Sequence, residues 1–292
     1  MRKALVSVAA AILLLGACQS VPVAAPLPSY LIDPPHDAAN PARMEVLHIP
    51  SGGVEINGVA YLAAGAGPQP TLVIAHGWPG NEKNLDLAQA VRRAGWNAIT
   101  FNYRGSWGSP GEFHFVQVPE DATNVIAWLR KPEVAAKYGI DPRRIALAGH
   151  SMGGWATALA AAKDPSLMGA VLISAADLGG LGVVPHADLV KASSENAETL
   201  VTTPEKMAEE LEANGAAFGF MRAAPGLAKL PVLVLSSDDG LAPETDALAA
   251  AIRATGGKVE TQHFATDHSY SDSRIALEAA IITWLGTLPG AK

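Results

Sequence analysis

The sequence predicts an α/β protein, a doubly wound and mainly parallel sheet of about eight strands that carries a small helical insertion. Three observations predict it. Short, almost wholly apolar runs such as 71–76, 144–148 and 232–235 read as strands buried on both faces. Segments with helical spacing alternate with them, which implies right-handed crossovers and parallel pairing. Hydrophobic residues make up 49% of the chain and charged ones only 17%, a balance that suits a sheet covered by helices above and below. A net charge of −7 with no cluster of Lys or Arg argues against a nucleic-acid partner.

The first element is a targeting segment, residues 1–17. Arg2 and Lys3 precede an apolar stretch, 4–15, that is too short to span a bilayer. Leu15-Gly16-Ala17-Cys18 resembles the lipobox of bacterial lipoproteins, in which the cysteine becomes the lipidated first residue. Cys18 is the only cysteine, so no internal disulfide is possible. Ordinary secretory cleavage after Ala24 or Ala25 is the alternative. Residues 18–43, with prolines at 22, 26, 28, 34, 35 and 41, read as an extended tether. The expectation is a protein lipid-anchored in a bacterial cell envelope, periplasmic or outer-membrane in a Gram-negative cell.

The folded domain is expected over 44–289. Residues 44–50 and 54–63, split by Ser51-Gly52-Gly53, form a hairpin signal. A strand at 71–76, a helix at 82–94 stopped by Gly95, and a strand at 97–101 follow. Next come a helix at 120–130 halted before Pro132, a strand at 144–148, a helix at 155–162 and a strand at 170–174. A mostly helical insertion, 177–229, interrupts the rhythm; it is too long for an ordinary connection. Its segment 204–214, with Met207 and Leu211 at helical spacing, fits either a lid over the site or a surface helix packed on the core. Strand 232–235, helix 243–255, strand 258–265 and helix 273–285 complete the series. Ligands in such sheets bind at the carboxyl ends of the strands.

The chemistry centres on Gly149-His150-Ser151-Met152-Gly153, set between a strand and a helix. That context is a nucleophile elbow, a turn so tight that Gly149 and Gly153 must lack a Cβ while the serine hydroxyl is presented above the sheet. Together with His76-Gly77-Trp78-Pro79-Gly80, Asn102-Tyr103-Arg104-Gly105 and a late acid–histidine pair, it makes the chain resemble the α/β-hydrolase superfamily over 44–289. The nearest look is to dienelactone-hydrolase-like esterases and the catalytic domains of prolyl-oligopeptidase-type peptidases.

The resemblance implies a serine hydrolase with a Ser-His-Asp triad and an acyl-enzyme intermediate. Ser151 is its nucleophile, and His268, just past the last strand, its base. The loop after 232–235 supplies the acid: Asp239 stands four residues before Pro243, as the family requires, with Asp238 and, more remotely, Asp177 as rivals. The oxyanion hole falls to the amides of Met152 and, by resemblance, Trp78. The glycine-rich loop 102–113 has two readings. Tyr103 reaches the oxyanion region while Trp107, Phe113 and Phe115 wall an acyl pocket, or Arg104 holds the loop by hydrogen bonds and the glycines turn it. Phe218 is a further candidate for substrate contact. His-Gly-Trp-Pro also resembles the epoxide-hydrolase loop, but serine rather than aspartate occupies the elbow. No phosphate loop, dinucleotide fingerprint or zinc spacing is present, so no cofactor and no metal are expected. The function read from this is carboxylic-ester hydrolysis. A peptidase, or a non-catalytic lipoprotein that kept the fold, are the alternatives.

Overall fold

The computed structural model describes residues 27–291; the targeting segment and Cys18 lie outside the described residues. Eight strands form one sheet: β1 (Arg43–Ser51), β2 (Val54–Leu62), β3 (Gln69–Ala75), β4 (Asn97–Phe101), β5 (Ile140–His150), β6 (Ala170–Ile173), β7 (Val232–Ser237) and β8 (Val259–Phe264). Their spatial order is β1-β2-β4-β3-β5-β6-β7-β8. β2 runs antiparallel to both its neighbours, and every other pair is parallel. The helices are α1 (Leu85–Arg93), α2 (Val118–Leu129), α3 (Pro132–Tyr138), α4 (Met152–Ala161), α5 (His186–Ser194), α6 (Pro204–Phe218), α7 (Ala224–Leu227), α8 (Ala242–Ala254) and α9 (Arg274–Leu285).

Side-chain alternation along the strands builds two cores. Leu72, Ile74, Ala146, Ala148, Val171 and Ile173 face α1 and α9, meeting Leu87, Val91, Leu277 and Trp284. Val73, Ala75, Leu147, Leu172 and Val234 face the opposite layer, where α2, α4, α6 and α8 supply Val125, Trp155, Leu211 and Leu248. The sheet is therefore covered on both sides, as its near-continuous apolar strands require. After β3 the chain steps outward to β4 and then returns to place β5 on the other flank of β3. The loops leaving β3 and β5 diverge there, and such a switch point opens a crevice at the strand ends.

Several boundaries differ from the sequence expectation for local reasons. The helix expected over 82–94 begins only at Leu85, because Asn84 sits in a left-handed conformation (φ 55°) that a helix cannot propagate. α2 ends at Leu129, before Pro132 as expected, and Pro132 also opens α3 at a first-turn position, where its missing N–H costs nothing. The stretch expected to be a free tether is partly docked over its described residues. Ser29–Leu31 forms one 3-10 turn, the Arg93 Nε donates to the Tyr30 carbonyl at 2.7 Å, and the Gly65 amide donates to the Asn40 carbonyl at 3.0 Å. Among the described residues no helix is long and apolar enough to cross a membrane.

Candidate active site

Ser151 lies between the end of β5 and the start of α4 with φ 58° and ψ −122°. A non-glycine residue pays roughly 1–3 kcal/mol for such a conformation and keeps it only where its surroundings over-determine it. Here they do. The Ser151 amide donates to the Ile173 carbonyl at 2.9 Å, and its own carbonyl accepts from Gly154, Trp155 and Ala176. The flanking glycines are a steric demand: a Cβ on Gly149 would stand 2.0 Å from the Gly153 carbonyl oxygen, and one on Gly153 would stand 2.2 Å from that of Ala75.

The loop after β3 comes up against the serine from the other side of the crevice. A Cβ on Gly77 would lie 3.0 Å from the Ser151 Cβ and 3.5 Å from its Oγ. Trp78 is the next residue, and Met152 opens α4 beside the serine. Among the described residues neither the Trp78 nor the Met152 amide donates to a protein acceptor. Of these two unengaged amides, one follows Gly77, which abuts the serine, and the other opens the helix next to it.

His268 and Asp239 arrive on the loops beyond β8 and β7. The His268 Nδ1 lies 2.7 Å from the Asp239 Oδ2; the carboxylate side chain is 4% exposed and the imidazole 39%. Burial alone would raise the Asp239 pKa. The hydrogen bonds from His268 and, at 2.9 Å, from the Leu241 amide, aided by the neighbouring Ser174 and Ser237 hydroxyls, outweigh it and hold the carboxyl below its ordinary value. An ionised acceptor there makes His268 Nδ1 the donor, which leaves Nε2 as the basic nitrogen. His268, Ser151, Trp78 and Glu82 line one recess of about 140 Å³. Among the described residues no hydrogen bond closes between Ser151 Oγ and His268; such contacts commonly tighten only with substrate bound.

Of the two rival acids, neither meets His268 among the described contacts. Asp238 is 63% exposed and its Oδ1 lies 3.0 Å from the Nε2 of His263, whose Nδ1 lies 2.9 Å from Ser236 Oγ. Asp177 instead caps the insertion, its Oδ1 accepting from the amides of Gly179 and Phe220 at 3.0 and 3.1 Å.

Three side chains proposed for substrate contact stand elsewhere. Tyr103 is 1% exposed and its hydroxyl donates to the His76 carbonyl at 2.8 Å, so it props the β3 loop from below rather than facing the recess. Trp107 does the same from the side: its Nε1 donates to the Pro79 carbonyl at 2.7 Å, and Lys83 Nζ lies 3.8 Å from its ring centre. Phe218 is buried edge-on against Trp155, whose Nε1 donates to the Phe218 carbonyl at 2.5 Å. Phe113 and Phe115 are core residues, with Phe115 backing Trp78. Loop 102–113 is held as the second reading had it, by Arg104, whose Nε meets the fully buried Asp121 at 2.6 Å and whose backbone amide donates to the same carboxylate.

The insertion packs beside the site. α6 buries Met207, Leu211 and Phe218 in the core shared with α4, and no residue of 177–229 lines the recess around Ser151. His150, the residue before the elbow serine, has a definite task. Its Nε2 donates to the His268 carbonyl at 2.8 Å with the two rings 4.5 Å apart, and burial holds its pKa at about 3, so it stays neutral. Its position immediately before Ser151 was the only sequence signal. Glu82 gave none, because a loop carboxylate looks alike wherever it points.

Residues 80–270 match the family model described as the alpha/beta hydrolase fold. The chain belongs to the α/β-hydrolase family. Within curated sequences this α/β-hydrolase is 28% identical over 149 residues to an uncharacterized protein of Mycobacterium tuberculosis (strain ATCC 25618 / H37Rv), a match covering 50% of this chain and 49% of that protein. The chain thus spans about half the length of the first curated relatives it matches. Among solved structures it is similar to a thermophilic and thermostable carboxylesterase cloned from a metagenomic library, with 23% identity, TM-score 0.61, and 86% of this chain and 91% of that one covered. It is also similar to the acylaminoacyl peptidase of Pyrococcus horikoshii, with 15% identity, TM-score 0.67, and 86% and 42% covered. At these identities the structures speak for the fold.

Proposed function

We propose that this α/β-hydrolase cleaves small carboxylic esters through an acyl-Ser151 intermediate. The observation that carries the reading is the 2.7 Å contact between His268 and a buried Asp239, with the imidazole bordering the same recess as an elbow serine. His268 Nε2 takes the Ser151 proton as Oγ attacks the ester carbonyl. The oxyanion forms opposite the Met152 and Trp78 amides, and Asp239 stabilises the imidazolium. His268 then protonates the departing alcohol, and a water repeats the sequence to free the acid and the serine. The carboxylesterase likeness supports the reaction class. The acylaminoacyl peptidase likeness keeps amide cleavage as the second reading. A fluorophosphonate probe is the direct test: it should label Ser151, and an unlabelled serine in the folded protein would remove the reading.

The recess beside Ser151 is small, about 140 Å³, which suits a short acyl or alcohol group, and Glu82 lies in its wall. Initial rates are therefore expected to favour p-nitrophenyl acetate and butyrate over the decanoate by about tenfold or more, the scale of 1–3 kcal/mol that a few misfit methylenes produce. Esters with an anionic acyl end should be slower still, and Glu82→Gln should recover part of that loss. Equal rates across the series, or faster cleavage of aminoacyl anilides, would shift the assignment to the peptidase reading. Anchorage through an acylated Cys18 belongs to the same proposal. Intact-mass analysis of the mature chain should find Cys18 as a lipid-modified N-terminus, and an unmodified start near Pro26 would remove it.

A further inference from the structure

Behind the acid and the base lie three buried hydroxyls. Ser174 follows β6, Ser237 ends β7, and Tyr270 stands two residues beyond His268; none is more than 1% exposed. Ser174 Oγ lies 2.9 Å from Ser237 Oγ and 3.1 Å from the Tyr270 hydroxyl. Ser237 precedes Asp239 by two residues. The three oxygens therefore join the strand end that carries the acid to the loop that carries the base. They do so through a residue of β6's end, whose neighbouring Ile173 already holds the Ser151 amide.

The backbone supports this assignment. Ser174 has φ 39° and Tyr270 has φ 57°, conformations that a bulky residue rarely adopts and that cluster where function demands them. The proton count gives the network a direction. Burial first, and then the neighbouring Asp239 charge, push the Tyr270 phenol up to about 12, so it stays a donor. Its hydrogen goes to Ser174, since a buried donor without a partner is costly. Three hydroxyl hydrogens serve two internal contacts, which leaves one for an outside acceptor. The Asp239 carboxylate, two residues beyond Ser237 and held below its ordinary pKa in part by both serine hydroxyls, is the acceptor that this count assigns.

We propose that Ser174, Ser237 and Tyr270 are positioning residues, a hydroxyl staple that fixes Asp239 against His268 and directs one proton to its carboxylate. The inference rests on the reading of Ser151, His268 and Asp239 as a hydrolytic site. None of the three hydroxyl residues lines the recess, so their effect falls on kcat and not on KM.

The count also separates two kinds of variant. Tyr270→Phe cuts the link between the base loop and the acid strand but leaves one serine hydrogen for Asp239. The double change Ser174→Ala with Ser237→Ala removes that hydrogen too. Tyr270→Phe is expected to lower kcat about 3- to 10-fold with KM within about twofold and the acidic limb of the rate profile unmoved, the scale of a small misplacement of a catalytic group. The double variant is expected to lose about 10²-fold in kcat. Its acidic limb should move to higher pH, because a carboxylate stripped of a donor holds the imidazolium proton more tightly. His150, Asp267, Arg274 and Glu82, the other titratable groups that face the pair or the phenol, are unchanged in both.

Wild-type kcat and an unmoved limb in both folded variants would overturn the staple. If the double variant does not fold, Tyr270→Phe and Ser237→Ala decide it by kcat alone, and full activity in both overturns it. If the wild type proves inert to esters and to fluorophosphonate, the hydrolytic reading fails. The staple is then read by NMR titration of His268, which should move upward in the double variant; a fixed titration would sink it.

Discussion

Replacing Ser151 by alanine is expected to lower ester hydrolysis by about 10⁴-fold or more while the protein stays folded, the scale seen when the nucleophile of such a unit is removed. The fold should survive because every contact that holds this residue in its strained turn is made by its backbone, through Ile173, Gly154, Trp155 and Ala176. An alanine Cβ replaces the serine Cβ where Gly77 already leaves room for it. The melting temperature should shift by no more than about 2–4 °C, the scale of a change near 1 kcal/mol in a domain this large. Fluorophosphonate labelling should vanish with activity. Retention of more than a few per cent of the rate by purified Ser151→Ala protein would require another nucleophile.

The second large effect belongs to Asp239. Asp239→Asn keeps the shape but removes the charge and offers an N–H or a weaker acceptor to His268 Nδ1. The imidazole then favours the tautomer whose Nε2 carries the proton and cannot take one from serine. A fall of about 10³- to 10⁴-fold in kcat is expected, with little change in KM. The comparison that gives the experiment its force is with the two rivals. Asp238→Asn should stay within a few-fold of wild type, because that carboxylate is solvent-exposed and occupied with His263. Asp177→Asn should also keep its rate, since its carboxylate serves the Gly179 and Phe220 amides. A collapse of activity in Asp238→Asn with Asp239→Asn unaffected would reassign the acid by one residue.

The sheet was legible because each buried strand is a short apolar run closed by a turn residue, a signal contained within a few positions. The elbow was legible for the same reason: glycine, serine and glycine meet across one turn. What escaped was set by partners far along the chain. Nothing near Tyr103 or Trp107 says that their polar atoms meet the carbonyls of His76 and Pro79, so an aromatic under a loop and one walling a pocket look the same in sequence. Phe218 was misplaced likewise, because its neighbour Trp155 lies in another helix. The docking of Tyr30 on Arg93 involves a backbone carbonyl, which carries no sequence mark at all. Pro132 was the opposite case, a local signal with two local meanings, and the structure uses both, ending α2 before it and opening α3 at it.

A single carboxylate, that of Asp177, receives both the amide that begins the insertion's first turn and the amide of Phe220 that follows α6. The excursion between them is thereby closed into a loop with pinned ends, joined to loop 102–113 by the Ser106–Leu200 bridge and lying apart from the recess. Its exposed turns are free to exchange as a block, whereas Met207, Leu211 and Phe218 tie α6 to the core around Trp155, so hydrogen exchange is expected to find α6 better protected than the rest of the insertion. It can also change in length at little entropic cost, because both ends stay fixed whatever lies between. The elbow loops and this insertion thus stand on separate supports, so a change confined to the insertion's exposed surface need not disturb the recess.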